Sequence, residues 1–462
     1  MGITKKTLTI TASAALTVAT AVPALALENE FHGMFRLFGA VSNFNGSATG
    51  QGFLDVAGNP KDVQTATYLA QRARLMYIAK ANDSLKLVTH FEIDSRWGDN
   101  SYANGRNQGG AIGADTVNIE TKSVYLDATC PITGVNFKIG MQPNDDAFKG
   151  VLFGADMAGI KASRAFGNLG TNLGWFRLSD TGTTRGKNAY DLLTVEAKYA
   201  LTKDIKVGGA YYLINDDGAA AATTSNITGD APRFSRSVDL GQRQGDTNII
   251  HTAGVNAEAT FGPVTVDGFL LYQFGNLESP ANLHVNAFAG NVGARGKIGP
   301  GTARTEFLYV SGNKGGSSTT NAFQSISDEH GFYNGNMQLL FRDAYAMTID
   351  NAVVYTSNNK DQGVIAGFVG YDLPLTSKLS TSFNAGFASI AKENKNTTLN
   401  TSNGKYLGTE VNASVDYKLF DNLTASVRGA YVMLGDYFDN VTADGKNPED
   451  PYMGSVILNY VF

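Results

Sequence analysis

Five basic residues, Arg36, Arg72, Arg74, Lys86 and Lys138, and three acidic ones, Asp145, Asp146 and Asp156, are spaced so that they could act together on a passing solute. The bases fall in short stretches of alternating residue type, always on the polar parity, as do Glu92 and Asp94. The acids lie within or beside 143–156, a stretch that also carries apolar Phe148, Leu152 and Phe153. Apolar side chains need burial, so this stretch is expected to fold inward rather than stand in solvent. Acid on a loop opposite base on a wall sets up a transverse field. Low-dielectric walls focus such a field, which orients dipolar solutes and penalises apolar ones. A plainer arrangement is also open, in which Arg72 and Arg74 pair with Glu92 or Asp94 and only stiffen the wall.

Other groupings carry less. His32, His90, His251, His284 and His330 lack the spacing of a zinc site. Cys130 is the only cysteine, which rules out an internal disulfide and a two-thiol metal site. The glycine-rich run 312–317 precedes no helical pattern that could hold a phosphate. The oxygen-rich stretch 436–445 lacks the alternating ligand order of a calcium loop. It reads as a solvated loop, with divalent-ion or lipopolysaccharide-bridging contact as the sharper alternative. No Ser/His/Asp grouping marks hydrolysis. No enzyme activity, cofactor or metal is expected.

The elements that must position these charges are strands. From the end of the chain backward, Tyr460, Leu458, Val456 and Gly454 alternate with more polar neighbours, a period-two pattern suited to lipid on one face and water on the other. Thr409, Val411, Ala413, Val415 and Tyr417 alternate with Glu410, Asn412, Ser414, Asp416 and Lys418, and Leu423 to Tyr431 answers across a short link. Leu193–Tyr199 with Ile205–Leu213, and Ala253–Phe261 with Val264–Tyr272, repeat the unit. The charged residues are thereby kept out of hydrocarbon, where each costs roughly 2–4 kcal/mol at the midplane. Tyr199, Phe261, Tyr417 and Tyr460 sit beside short turns or the chain end, as an interfacial aromatic girdle would.

At the other end, Lys5 and Lys6, an uncharged run from Leu8 to Val22 and Ala24-Leu25-Ala26 form a cleavable export signal, residues 1–26. The run is too short and too rich in Thr and Ala to span as a helix, which takes about 20 apolar residues. With 37 basic and 42 acidic residues, no basic excess points to nucleic acid.

Short links are expected near 81–83, 130–133, 166–170, 201–203, 262–263, 298–301, 374–377 and 419–422. Long ones are expected near 43–64, 97–117, 143–155, 215–248, 274–282, 312–360, 392–403 and 435–451. Short turns on one side and long loops on the other define an all-β, transmembrane, antiparallel barrel with a periplasmic short side. Hairpin counting gives 18 strands, within a bracket of 16–20. The upper figure applies if Asn336–Tyr355 adds a hairpin. Residues 27–462 read as one domain without a plug ahead of the first strand.

The chain resembles the bacterial outer-membrane porins, particularly the trimeric type of sulfate- and metal-reducing anaerobes. The resemblance rests on Leu27-Glu28-Asn29-Glu30-Phe31-His32-Gly33, Gln71-Arg72-Ala73-Arg74, Phe91-Glu92-Ile93 before Trp97-Gly98, Lys138-Ile139-Gly140-Met141-Gln142-Pro143, and terminal Phe462. It implies a homotrimer in outer-membrane lipid and lipopolysaccharide. It also implies passive diffusion of small polar solutes and ions, with a third long loop narrowing the lumen. The large 215–248 and 312–360 insertions depart from that pattern.

Four functions compete. The first is a water-filled channel for passive diffusion. The second is a channel selective for a sugar or small anion, with inward rings such as Tyr212, Phe269 and Trp175 forming a track. The third is a barrel enzyme, such as a lipase or protease, for which no residue speaks. The fourth is a structural barrel supporting an outer-membrane electron-transfer complex, suggested only by the usual hosts of the resembling family.

Overall fold

The computed structural model describes residues 27–44, 65–99, 109–113, 117–180, 186, 189–217, 247–278, 282–315, 318–326, 333–347, 352–354, 356–394, 403–442 and 445–462. The expected export signal, 1–26, and most of the 215–248 insertion lie outside them.

Alternation of apolar and polar residues builds nineteen strands. The first nine are β1 (Glu28–Ser42), β2 (Ala66–Asn82), β3 (Leu85–Arg96), β4 (Ile119–Thr129), β5 (Asn136–Asp145), β6 (Gly154–Phe166), β7 (Leu169–Asp180), β8 (Ala189–Ala200) and β9 (Ile205–Asp216). There follow β10 (Asn248–Phe261), β11 (Val264–Leu277), β12 (Leu283–Ile298), β13 (Gly301–Val310) and the two-residue β14 (Thr319–Thr320). The last are β15 (Val364–Pro374), β16 (Leu379–Ser389), β17 (Tyr406–Phe420), β18 (Leu423–Leu434) and β19 (Tyr452–Val461). All but β14 form one closed antiparallel ring of eighteen strands, β13 pairing with β15 and β1 with both β2 and β19. β14 lies parallel to β12, with His284 opposite Thr319.

Closure removes the unpaired edge that an open sheet would expose. At the seam the Phe462 N–H donates to Gly33 O (3.0 Å), and Gly33 N–H donates to Phe462 O (2.8 Å). Gly33 is required there, because a Cβ would sit 2.6 Å from Phe462 Cζ.

The two faces sort as period two demands. Leu270 (68% exposed), Val427 (61%) and Val456 (56%) point outward, whereas Tyr212, Gln273 and Glu410 on the other parity are fully buried. Tyr199, Phe261, Tyr417 and Tyr460 are exposed on the outer face near the short turns. Trp175, expected inward, is not. It stands opposite Ile160 and Leu193 on the outer face and is exposed, while its neighbour Phe176 points inward and is buried. Of the three rings expected inward, Tyr212 and Phe269 are so placed.

The ring of eighteen leaves no room for a hairpin from Asn336–Tyr355. The described residues of that segment instead include buried Met337, Leu339, Leu340, Phe341, Val353 and Val354, with one parallel bridge between Phe341 and Val354. A long-side connection at 181–188, between β7 and β8, joins those expected from sequence, and the β11–β12 link shrinks to the residues between Leu277 and Leu283.

Buried apolar side chains therefore gather inside the ring, where two inward segments meet wall residues such as Tyr212, Phe269, Leu271, Leu308 and Phe368. A barrel this wide would otherwise enclose only water.

Candidate functional site

The first inward segment is the β5–β6 loop, residues 146–153. Phe148, Val151, Leu152 and Phe153 are all buried. Phe148 meets Tyr212 and Phe269 edge-on, with centroids 6.0 and 5.7 Å apart, and Phe153 meets Tyr212 at 5.1 Å. The Tyr212 hydroxyl accepts the Ala147 N–H (2.9 Å), and Asn256 Nδ2 donates to Ala147 O (3.0 Å). The loop thus reaches from β5 and β6 to β9, β10 and β11. Its fold is set by Asp146, whose carboxylate accepts N–H groups from Phe148 (2.7 Å), Gly150 (2.9 Å), Leu152 (2.6 Å) and Phe153 (2.8 Å). Burial pushes that carboxyl up to about 6, against the four donors, which favour its ionised form.

The second inward segment comprises residues 333–347 and 352–354. Glu410 on β17 accepts three successive N–H groups, from Gln338 (2.8 Å), Leu339 (2.9 Å) and Leu340 (2.6 Å), as well as Asn412 Nδ2 (2.7 Å). Arg428 on β18 grips Asp343 with two bonds, 2.8 and 2.9 Å. Tyr345 lies under both Arg36 and Arg428, each guanidinium 4.7 Å from the ring centroid. Phe341 packs edge-on against Phe368 at 5.3 Å.

The wall charges divide into paired and unpaired. Arg72 binds Asp94 through Nε (2.8 Å) and lies 3.4 Å from Glu92, and Arg74 bonds Glu92. These contacts match the plainer arrangement, with Glu92 and Asp94 neutralising two arginines. Lys86 sits 3.6 Å from Asp127, and Lys138 lies 5.4 Å from the Tyr125 ring centroid. Arg36, directly opposite Arg72 in the β1–β2 register, donates to Asn459 Oδ1 (3.1 Å) and has no carboxylate within 4 Å among the described residues.

The acidic set is arranged differently from the expected acid-loop, basic-wall pattern. Asp146 is turned onto its own backbone and offers the lumen no open charge. Asp145, on the parity of exposed Ile139 and Met141, is itself exposed and makes no ion pair among the described residues. Asp156 belongs to β6 rather than the loop and pairs with Lys122 at 2.8 Å, with Ser123 at 3.3 Å. The loop's acting charge is a base. Lys149 reaches Asp267 (2.6 Å) on β11 and also bonds Glu306 on β13. The polarity across this contact is therefore reversed, base on the loop and acid on the far wall.

Some of these residues gave no usable signal. Lys122 is the extra residue of a bulge, since His90 faces Ser123 and Phe91 faces Thr121, and a bulge shifts parity without a sequence mark. Glu410 and Arg428 were legible as inward residues, but their partners lie 70 or more residues away.

No family model and no curated protein matches this chain. Among solved structures it is similar to Pseudomonas aeruginosa OpdL, with TM-score 0.55 and 11% identity over 94% of this chain and 99% of that one. It is also similar to the outer membrane protein opdK of the same organism, with TM-score 0.54 and 12% identity over 94% and 98%. A third similar structure is Pseudomonas aeruginosa OccK2 (OpdF) in complex with glucuronate, with TM-score 0.51 and 12% identity over 94% and 96%. At such identities the likeness is one of fold, the closed eighteen-strand barrel.

Proposed function

We propose that this chain forms an outer-membrane channel that passes small hydrophilic solutes and favours those with an anionic group. The closed ring, apolar outside and charged inside, supports passage through the barrel rather than around it. Phe148, Phe153 and Ile326 occlude the β9–β13 side, which leaves the β1–β6 wall as the wet route. Arg36 carries the reading of selectivity. It is the arginine on that route that has no described carboxylate within 4 Å, and a narrow passage magnifies such a charge. The complex of OccK2 with glucuronate, a sugar acid, fits this class of solute. Export by the 1–26 signal, residence in lipid and lipopolysaccharide, a homotrimeric assembly and the absence of enzyme activity belong to the same proposal.

Planar-bilayer recording tests it. Purified mature protein should conduct, and Arg36→Ala should lower the anion-to-cation permeability ratio by roughly 2–5-fold, as removal of one wall charge in a focused field would. A protein that leaves bilayers sealed overturns the channel. A permeability ratio unmoved by Arg36→Ala overturns the anionic preference and leaves size-limited general diffusion.

A further inference from the structure

The turn at 356–363 runs in the hand that L-residues avoid. Asn359, Lys360 and Asp361 have φ of 47°, 57° and 65°, and Gly363 follows at 64°. Side chains disfavour this region, and such strain persists only where the surroundings over-determine it. The surroundings here do so. Asn358 is fully buried, and its side chain accepts the Asp361 N–H and donates to Asp361 Oδ1 (3.1 Å). Gly363 N–H donates to Asn358 O (2.8 Å), closing the turn. On the other side Gly312 passes so close that a Cβ would lie 1.9 Å from Gln362 O.

The turn touches the β5–β6 loop, the 318–326 stretch beside it and the β18–β19 loop. Ser357 Oγ donates to Val151 O (2.9 Å), on the β5–β6 loop. Asn358 Nδ2 donates to Phe323 O (2.6 Å), three residues before Ile326, whose N–H donates to Leu152 O (2.8 Å). Tyr437 in the β18–β19 loop donates its hydroxyl to Gln362 Oε1 (3.0 Å), and both residues are buried. Lys392 N–H, just past β16, donates to Gln362 O (2.9 Å).

We propose that this left-handed turn is a keystone that fixes the β5–β6 loop and couples it to the extracellular mouth. A disturbance at Tyr437 is then felt at Val151 and Leu152, although the two share no direct bond. Ser357, Asn358 and Gln362 act as positioning residues, since they work on the passage through the loop they hold. The inference rests on the channel reading for its consequence, but not for its geometry. Strain stored in the turn supplies the second state, because a turn freed of one tether can relax toward an ordinary backbone.

A double-mutant cycle tests the coupling. Single-channel closures would be counted at fixed voltage for the wild type, Ser357→Ala, Tyr437→Phe and the double variant, each checked for an intact barrel by its heat-modifiable gel mobility. Each single change should raise closure frequency by about 5-fold, the population shift typical of one lost hydrogen bond. The double variant should add little, because either cut already frees the turn. Additive effects, or singles that close like the wild type, overturn the keystone. Hydrogen exchange at the Ile326 and Phe153 amides gives a readout that needs no current. Tyr437→Phe should accelerate both, and unchanged protection overturns the coupling. Silent wild-type bilayers would instead count against the channel reading alone, with the exchange result still deciding the keystone.

Discussion

The two inward segments fill the same lumen but are held by opposite means. The β5–β6 loop is tied by a carboxylate of its own, Asp146, whose four acceptor contacts reach residues two to seven positions on. The second segment is tied by carboxylate and guanidinium groups of the wall, Glu410 and Arg428, which lie 70 to 85 residues away in sequence. Asp146 sets the local shape of the loop, while its place in the lumen still depends on Tyr212, Asn256 and the 356–363 turn. A wall-tied segment depends on the barrel having closed first, and loosens as a unit when one wall residue is lost.

The largest effect that contrast demands is at Glu410. Replacing it by Ala leaves three buried N–H groups without an acceptor, at roughly 1–3 kcal/mol each, so the segment should lose on the order of 5 kcal/mol of its hold. Protease should cut between 333 and 347, and unit conductance should rise, while the barrel stays intact. Continued resistance to protease would mean the segment holds itself as the loop does. Arg428→Leu should come next. It strands Asp343, a nearly buried partner, and breaking such a pair costs about 3 kcal/mol. Conductance should rise less than for the Glu410 variant, and β5–β6 loop protection in hydrogen exchange should not change.

Asp146 should give the smallest and most local response. Asp146→Asn keeps the shape and one carbonyl acceptor, so the expected loss is about 1–2 kcal/mol, confined to 146–153. It also carries a pH signature. Burial raises the folded carboxyl from 3.8 to about 6. A raised folded value means the contribution is fully present below pH 3.8 and is lost as pH climbs through 6. Wild-type thermal stability between pH 4 and 7 should show that fall, and the Asn variant, uncharged throughout, should not. Identical slopes in both proteins would show that another group titrates there.

The same contrast explains what could be read from sequence. Outward Val411, Val415 and Val427 and inward Glu410, Asp416 and Arg428 obey period two because a closed barrel separates an apolar outer face from a polar inner one residue by residue. The β5–β6 loop announced itself through Phe148, Leu152 and Phe153 beside an Asp, all within one short stretch. Glu410 looked like any lumen charge, since nothing near it in sequence reveals three N–H donors arriving from 338–340. Arg72 and Arg74 showed both their parity and their possible partners, and which possibility holds is decided by β2–β3 register, Arg72 facing Asp94 and Arg74 facing Glu92. Trp175 stands outward with Leu173 on its own strand and Leu193 opposite it. Its aromatic character suggested a solute track, where the girdle outside wanted the same kind of ring.

That tryptophan gives the molecule a one-sided optical reporter. The chain has two tryptophans, and both lie on the outer face, Trp175 exposed on β7 and Trp97 exposed with its indole N–H bonded to Gln71 (2.9 Å). In a bilayer their fluorescence would sense acyl chains and headgroups rather than the contents of the lumen. Brominated lipid would dim it, and solutes in transit would leave it dark to their passing.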